Sequence, residues 1–314
     1  METRTTPMPS VATAGATHPV ARDWSVTRPF VVGVDDTRES YPALKYAAEL
    51  SIDTGSRVHL VSALKPFHGV GAGSPGEERT TELRLELREV FLEDLLPTVV
   101  TPPVWTRVAK VGDPSDILAN EAHDIRAGMI FIGAGRHGTV ERILSRPTAL
   151  RVIQRTDLPI VVVPRGSNPP STVVVGVDFS PASVFSCQVA TAMLCGSGTL
   201  HLVHVQPLLP LPGEVWSVDL SKWELDGTME RMVAYEPDPA QYPGIRVERA
   251  SLSGDIATTL EHYAASVSAD LVAVGSHGYN LAQRAMLGSV SAALLARPLQ
   301  PVLVTRATDT VTSR

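Results

Sequence analysis

Residues 270–291 read DLVAVGSHGYNLAQRAMLGSVS. The opening DLVAV is a short apolar run of the kind that forms a strand buried on both faces. Gly275-Ser276-His277-Gly278 follows at once, nine residues intervene, and Gly288-Ser289-Val290-Ser291 opens a segment of helical composition with Ser289 in its first turn. Glycines let the main chain turn tightly and approach an anion closely, and the free amides of a helix start, with a serine hydroxyl beside them, donate to phosphate oxygens. A lone pair of glycines would say little. Strand, G-x-x-G, a fixed spacer and Gly-Ser at a helix start together describe an α/β unit with a phosphate cradle at the carboxyl end of its strand.

Reading outward from this stretch uncovers a duplication. Val32-Gly33-Val34-Asp35 returns as Val175-Gly176-Val177-Asp178, His59-Leu60-Val61 as His201-Leu202-Val203, and Gly112-Asp113 as Gly254-Asp255. Ile132-Gly133 answers Val274-Gly275, and Pro159-Ile160-Val161-Val162 answers Pro301-Val302-Leu303-Val304. The offset is 143 and then a steady 142. Within each copy, β-branched runs alternate with helical segments, the pattern of βαβ units and parallel sheets. Strands are expected near 30–34, 57–63, 104–110, 129–133 and 160–163, and again near 172–177, 199–205, 245–251, 270–274 and 301–305. The fold class is therefore α/β, with two tandem Rossmann-like domains of five parallel strands each, at 28–166 and 170–306, joined through the Gly/Ser/Pro stretch 165–170. In 77–96 the helical period puts Leu83, Leu87, Val90, Phe91 and Leu95 on one face, expected to cover the sheet, with charge opposite.

Length and composition fit two ordinary globular units: 314 residues, 44% hydrophobic and 19% charged. No apolar run is long enough to suggest a membrane span. Thirty-three acidic against 27 basic residues, net −6, weigh against binding nucleic acid by phosphate neutralisation. Residues 1–27, rich in Thr, Pro and Ala, and residues 307–314 read as tails, and the former contain no continuous apolar segment of a secretory signal. Cys187 and Cys195 fall eight apart in one expected helix, roughly 12 Å along its axis. That separation is too great for a disulfide and is consistent with a reducing cytoplasm.

The strand-bounded Gly275-x-x-Gly278, nine residues, Gly288-Ser289 pattern resembles the G-2x-G-9x-G-[S/T] signature of the universal stress protein family, and the resemblance extends over about 30–306. It implies two tandem domains of the adenine nucleotide α-hydrolase-like fold, with ATP as cofactor and Mg²⁺ as the ion able to accompany it. Val177, Asp178 and Val205 would frame the adenosine, while Gly275, His277, Gly278, Gly288, Ser289, Val290 and Ser291 would hold ribose and phosphates. The residues alone also allow a simpler reading, with the glycines as turn residues and Asp178 as a helix cap before Ser180-Pro181-Ala182. The implied function is a cytoplasmic, nucleotide-dependent regulator in stress response or dormancy, with at most slow ATP hydrolysis. Its rivals are a nucleotide-independent scaffold and an ATP-using enzyme of the same superfamily. Partners would be an adenine nucleotide and proteins not named by the sequence, with no nucleic acid and no membrane. The resemblance further implies that Ile160–Val163 and Val302–Val304 pair, making an intramolecular pseudo-dimer and leaving a homodimer open.

Copy one departs from the signature. At constant offset Gly278, Gly288 and Ser289 become Arg136, Arg146 and Pro147, and a proline removes both an amide donor and the hydroxyl. With a two-residue gap, Gly135-Arg136-His137-Gly138 aligns instead and the Gly-Ser pair becomes Thr148-Ala149. Gly133-Ala134-Gly135-Arg136-His137-Gly138 also spells G-x-G-x-x-G, but after the fourth strand of its copy, where the dinucleotide fingerprint belongs after the first. No nucleophile elbow, Walker motif or metal-ligand spacing appears, so no catalytic residue is assigned.

Overall fold

The computed structural model describes residues 24–35, 40–66, 75–95, 105–135, 148–207, 222–276 and 288–306. The first half runs β1 (Phe30–Gly33), α1 (Tyr41–Thr54), β2 (Val58–Leu64), α2 (Pro75–Leu95), β3 (Trp105–Val111), α3 (Pro114–Asp124), β4 (Met129–Gly133), α4 (Thr148–Arg155) and β5 (Ile160–Val163). The second repeats it as β6 (Thr172–Gly176), α5 (Pro181–Met193), β7 (Ser197–Gln206), α6 (Lys222–Met232), β8 (Gly244–Ser253), α7 (Ile256–Ser266), β9 (Leu271–Gly275), α8 (Ser289–Ala296) and β10 (Val302–Thr305). All ten expected strands are present, β7 and β8 running longer than their apolar cores suggested.

The strands form one ten-stranded sheet in the order β3-β2-β1-β4-β5-β10-β9-β6-β7-β8. Each half is parallel, and the halves join antiparallel where Val302, Leu303 and Val304 face Val162, Val161 and Ile160, the pairing expected of the terminal strands. Strands such as FVVG, MIFIG and IVVV are apolar on both sides because helices cover both faces. One core packs Phe30, Tyr46 and Phe131 with Val173, Leu200 and Leu303; the other packs Val31, Ile130 and Ile132 with Val174, Val272 and Val304. Both cores thus run through the junction. Arg306, just past β10, crosses it to donate to the Ile153 carbonyl of α4 at 3.0 Å.

Several helices start on self-made caps at the carboxyl edge of the sheet. Asp113 accepts from the Ser115 amide at 2.9 Å, Ser180 from Ser183 at 3.3 Å and Asp255 from Thr258 at 3.0 Å, with Pro114 and Pro181 in the first turn where no amide hydrogen is needed. Asp178 is therefore not the cap of α5. Its carboxylate accepts from the Ser180 amide at 2.9 Å in the turn just before the helix. The thiols are both free, and Cys195 lies beyond the end of α5 with φ 50°, so the two do not share a helix.

Two expectations fail. The tail drawn to residue 27 is too long, because Trp24 packs edge-on to Phe185 of the second half with ring centroids 5.8 Å apart and donates from Nε1 to the Gly128 carbonyl at 2.6 Å. A partly buried indole and a satisfied N–H make an anchor where composition suggested none. Second, α2 is rotated from its expected orientation: Leu92 and Leu95 are buried and Phe91 partly so, but Leu83, Leu87 and Val90 are 54%, 62% and 55% exposed. Asp94 lies in line with Leu87, seven residues on, so turning that stripe inward would carry a carboxylate into the core. The face that turns inward carries Leu92, Leu95 and the half-buried Leu85, with Glu78 and Glu89 exposed at its margin.

Candidate functional site

Strand order decides where a ligand can sit. In each half the first strand lies between the second and the fourth, so the chain leaves it toward opposite sides and a crevice opens at the carboxyl ends. In the second half this switch point lies between β6 and β9, paired in register from Val173 and Leu271 to Val175 and Ala273. Val177 and Asp178 leave β6 here, Gly275 and Ser276 leave β9, and Val205 stands near the end of β7. The Asp178 carboxylate is exposed, whereas Val177 and Val205 are buried. The Val177 amide donates to the Val203 carbonyl at 2.8 Å, and its carbonyl accepts from His204 Nδ1 at 2.7 Å. Its backbone is thus committed within the protein.

The two ends of the glycine motif abut. The Gly288 amide donates to the Ser276 carbonyl at 2.6 Å, which brings the start of α8 against the end of β9. Neither Gly275 nor Gly288 has a positive φ, so the expected tight glycine turn is absent at both. What they supply is close approach. A Cβ on Gly275 would lie 2.8 Å from Ala182 Cβ of α5, and one on Gly288 would lie 2.7 Å from the Ser276 carbonyl oxygen. Gly288 caps α8 without a side chain to cap with, so the first-turn amides meet no side-chain acceptor from the cap position. The Ser289 side chain is exposed beside them, and Val290 is half-buried against the core. Ser291 is buried and donates its hydroxyl to the Gly288 carbonyl at 3.0 Å, so its side chain serves the turn. His277 and Gly278 lie outside the described residues.

Sequence reasoning missed the wall beside Asp178. Phe179 holds φ 62°, uncommon for a residue with a Cβ, and its ring meets His204 at 4.9 Å and Tyr235 at 5.9 Å. Arg231 of α6 lies over the same ring, 3.7 Å from its centroid. The one signal available was His204 interrupting the apolar run of β7. Among the described residues, no group of three or more His, Cys, Asp and Glu could hold a metal ion, and no helix is long and apolar enough to cross a membrane.

The first half resolves its alignment. Gly133 ends β4 opposite Val163 as Gly275 ends β9 opposite Thr305, and the Ala134 amide donates to Val163 at 2.9 Å as Ser276 does to Thr305 at 2.7 Å. The constant offset therefore holds, and Gly135 is not the counterpart of Gly275. Ala134 stands where the second half has Ser276. Arg136, Arg146 and Pro147 lie outside the described residues; α4 begins at Thr148. Where α8 has Ala293, α4 carries Arg151, whose guanidinium meets the Asp113 carboxylate at 2.7 Å. Arg155 similarly meets Asp116. Hydrogen bonds from Ser115, with the Arg151 charge beside them, hold the Asp113 carboxyl below the ordinary range.

Comparison with known proteins agrees with this architecture. A sequence profile of the universal stress protein family matches residues 27–164 and again 170–306. Universal stress proteins of Mycobacterium bovis and Mycobacterium tuberculosis are each 28% identical to this chain over 306 residues, covering 93% of it and 90% of theirs. One from Mycolicibacterium smegmatis is 25% identical over 299 residues, covering 88% and 96%. The crystal structure of a universal stress protein from Archaeoglobus fulgidus superposes with a TM-score of 0.69 at 17% identity, across 90% of this chain and 100% of that one. At that identity the last likeness bears on the fold.

Proposed function

We propose, from the premise that this chain belongs to the universal stress protein family, that its second half binds an adenine nucleotide, ATP, at the β6–β9 switch point. The observation that carries this reading is the start of α8. Helices α3, α5 and α7 satisfy a first-turn amide with their own Asp or Ser, whereas α8 opens on Gly288, pinned to Ser276, with Ser289 exposed. Open amides and a hydroxyl at a positive helix end fit phosphate oxygens. Asp178, exposed across the crevice, suits the ribose hydroxyls. Mg²⁺ would arrive with the phosphates, since no metal cluster exists among the described residues.

The first half is a partner domain: it has alanine where Ser276 stands and, at constant offset, Pro147 in place of Ser289. The whole is a cytoplasmic regulator in stress response or dormancy, in which bound nucleotide alters shape or partners and hydrolysis is slow at most. Two free thiols, one buried and one beyond its helix, suit a reducing compartment.

Calorimetry with ATP tests the site. The wild-type chain should bind, and Ser289→Ala combined with Gly288→Val should weaken binding at least tenfold, about 1.4 kcal/mol. Ser289→Ala alone, which removes only an exposed hydroxyl, should weaken it severalfold with an unchanged circular dichroism spectrum. Equal binding by all three proteins would overturn the assignment.

A further inference from the structure

The outward face of α2 joins an apolar stripe to an acidic rim. Leu83, Leu87 and Val90 follow one another at i, i+4 and i+7 and are each more than half exposed. Isolated surface leucines are ordinary, but three in register on one helix make a continuous ridge. Exposed Glu82, Glu86, Glu89 and Glu93 surround it. The helix has seven carboxylates against three guanidinium groups, and those three are engaged: Arg79 with Glu82 at 3.4 Å, Arg84 with the Lys65 carbonyl at 3.2 Å, and Arg88 over the Phe91 ring at 5.5 Å. Glu82 is met by Arg79 and Glu93 by Arg107 of β3 at 3.0 Å, while Glu86 and Glu89 have no ion-pair partner among the described residues and present acid beside the ridge.

We infer that this face of α2 docks a basic amphipathic helix of a partner protein, its apolar side laid along Leu83, Leu87 and Val90 and its lysines or arginines against the glutamate rim. Apolar anchors at helical spacing with complementary flanking charge are how a helix is recognised by a helical surface. A second copy of this chain is a poorer occupant. It would set one acidic rim against another, and a strip about 30 Å long and one helix wide falls well short of the roughly 800 Å² per partner of a standard interface. Anionic membrane is opposed by the same carboxylates.

The test uses the full chain and a fluorescein-labelled 21-residue peptide of leucine and lysine, with leucines at the same i, i+4, i+7 spacing, followed by anisotropy at low salt. Saturable one-to-one binding is expected. It should weaken at least fivefold in Leu83→Gln/Leu87→Gln, which keeps the charge, and at least fivefold in Glu86→Gln/Glu89→Gln, which keeps the stripe. Glutamine is a good helix former and every substituted side chain is exposed, so helix content should not change. The inference is overturned if a scrambled peptide of the same composition binds as well, or if either variant binds like wild type. It is also overturned if sedimentation shows a dimer that Leu83→Gln/Leu87→Gln dissociates, or if phosphatidylglycerol vesicles bind the wild type and not that variant.

Discussion

His59 and His201 occupy equivalent places on β2 and β7 yet have different partners. His59 lies 3.4 Å from the Glu121 carboxylate and 2.6 Å from Thr106 Oγ1, and the same carboxylate holds Lys110; His201 faces the Tyr263 hydroxyl at 3.1 Å. Burial pushes both imidazoles below their ordinary 6.5, with Glu121 pulling the other way on His59. A histidine whose folded pKa is depressed is neutral in the fold when the unfolded chain has already taken up its proton. The unfolded state then binds more protons, and stability falls as pH drops below about 6.5. Urea midpoints should therefore decline between pH 7 and 5, and His59→Gln/His201→Gln should flatten that decline. An undiminished slope in the variant would refute the assignment. Asp113 and Asp255, held below the ordinary 3.8 chiefly by Ser115 and Thr258, add a separate loss only near and below pH 4. At this scale the strand end at Gly275 and the helix start at Gly288-Ser289 were legible, because strand ends and helix starts leave local marks. Phe179, His204 and Arg231 were not: their meeting depends on how α6, packed against β8, sits relative to the turn after β6, which no spacing along the chain records.

The corresponding helices of the two halves are held differently. Asp113 caps α3 and receives Arg151 from α4, whereas Asp255 caps α7 opposite the small side chain of Ala293. Asp113→Ala removes both a cap and an ion pair and should lower stability by about 1 kcal/mol, mostly through the cap. The Asp113–Arg151 pair is one-third exposed on each side, so Arg151→Ala should cost no more than a few tenths of a kcal/mol. Chemical denaturation of both variants checks the order, and a larger loss from Arg151→Ala would show that the pair, not the cap, holds α4 to α3. Strand positions could be read because apolar β-branched runs differ from the polar segments between them. The facing of α2 could not, since it carries two apolar seams two residues out of phase and periodicity weighs them alike. Each seam also has an acid beside it, Asp94 in one and Glu89 in the other, so the choice rests on packing against the sheet, which local spacing does not record.

At the scale of the whole molecule, the duplication was visible as a constant offset, and the offset still governs the structure at Gly133 and Gly275. Its physical consequence is the β5–β10 pairing. Each of these four-residue strands is wholly buried, and each would be an open apolar edge if its half stood alone. The halves are also tied by Trp24 against Phe185 and by Arg306 against Ile153. Residues 1–166 and 167–314 expressed together as separate chains should therefore co-purify as a one-to-one complex. Expressed singly, each should self-associate or precipitate, because two copies of one exposed strand can pair antiparallel much as β5 pairs β10. Light scattering after size-exclusion chromatography distinguishes the cases. Two well-folded monomers that ignore each other would mean that the continuous sheet contributes little to either half. A stable complex would mean that each half depends on the junction for part of its stability, because β9 and β10 of the second half continue directly into β5 of the first.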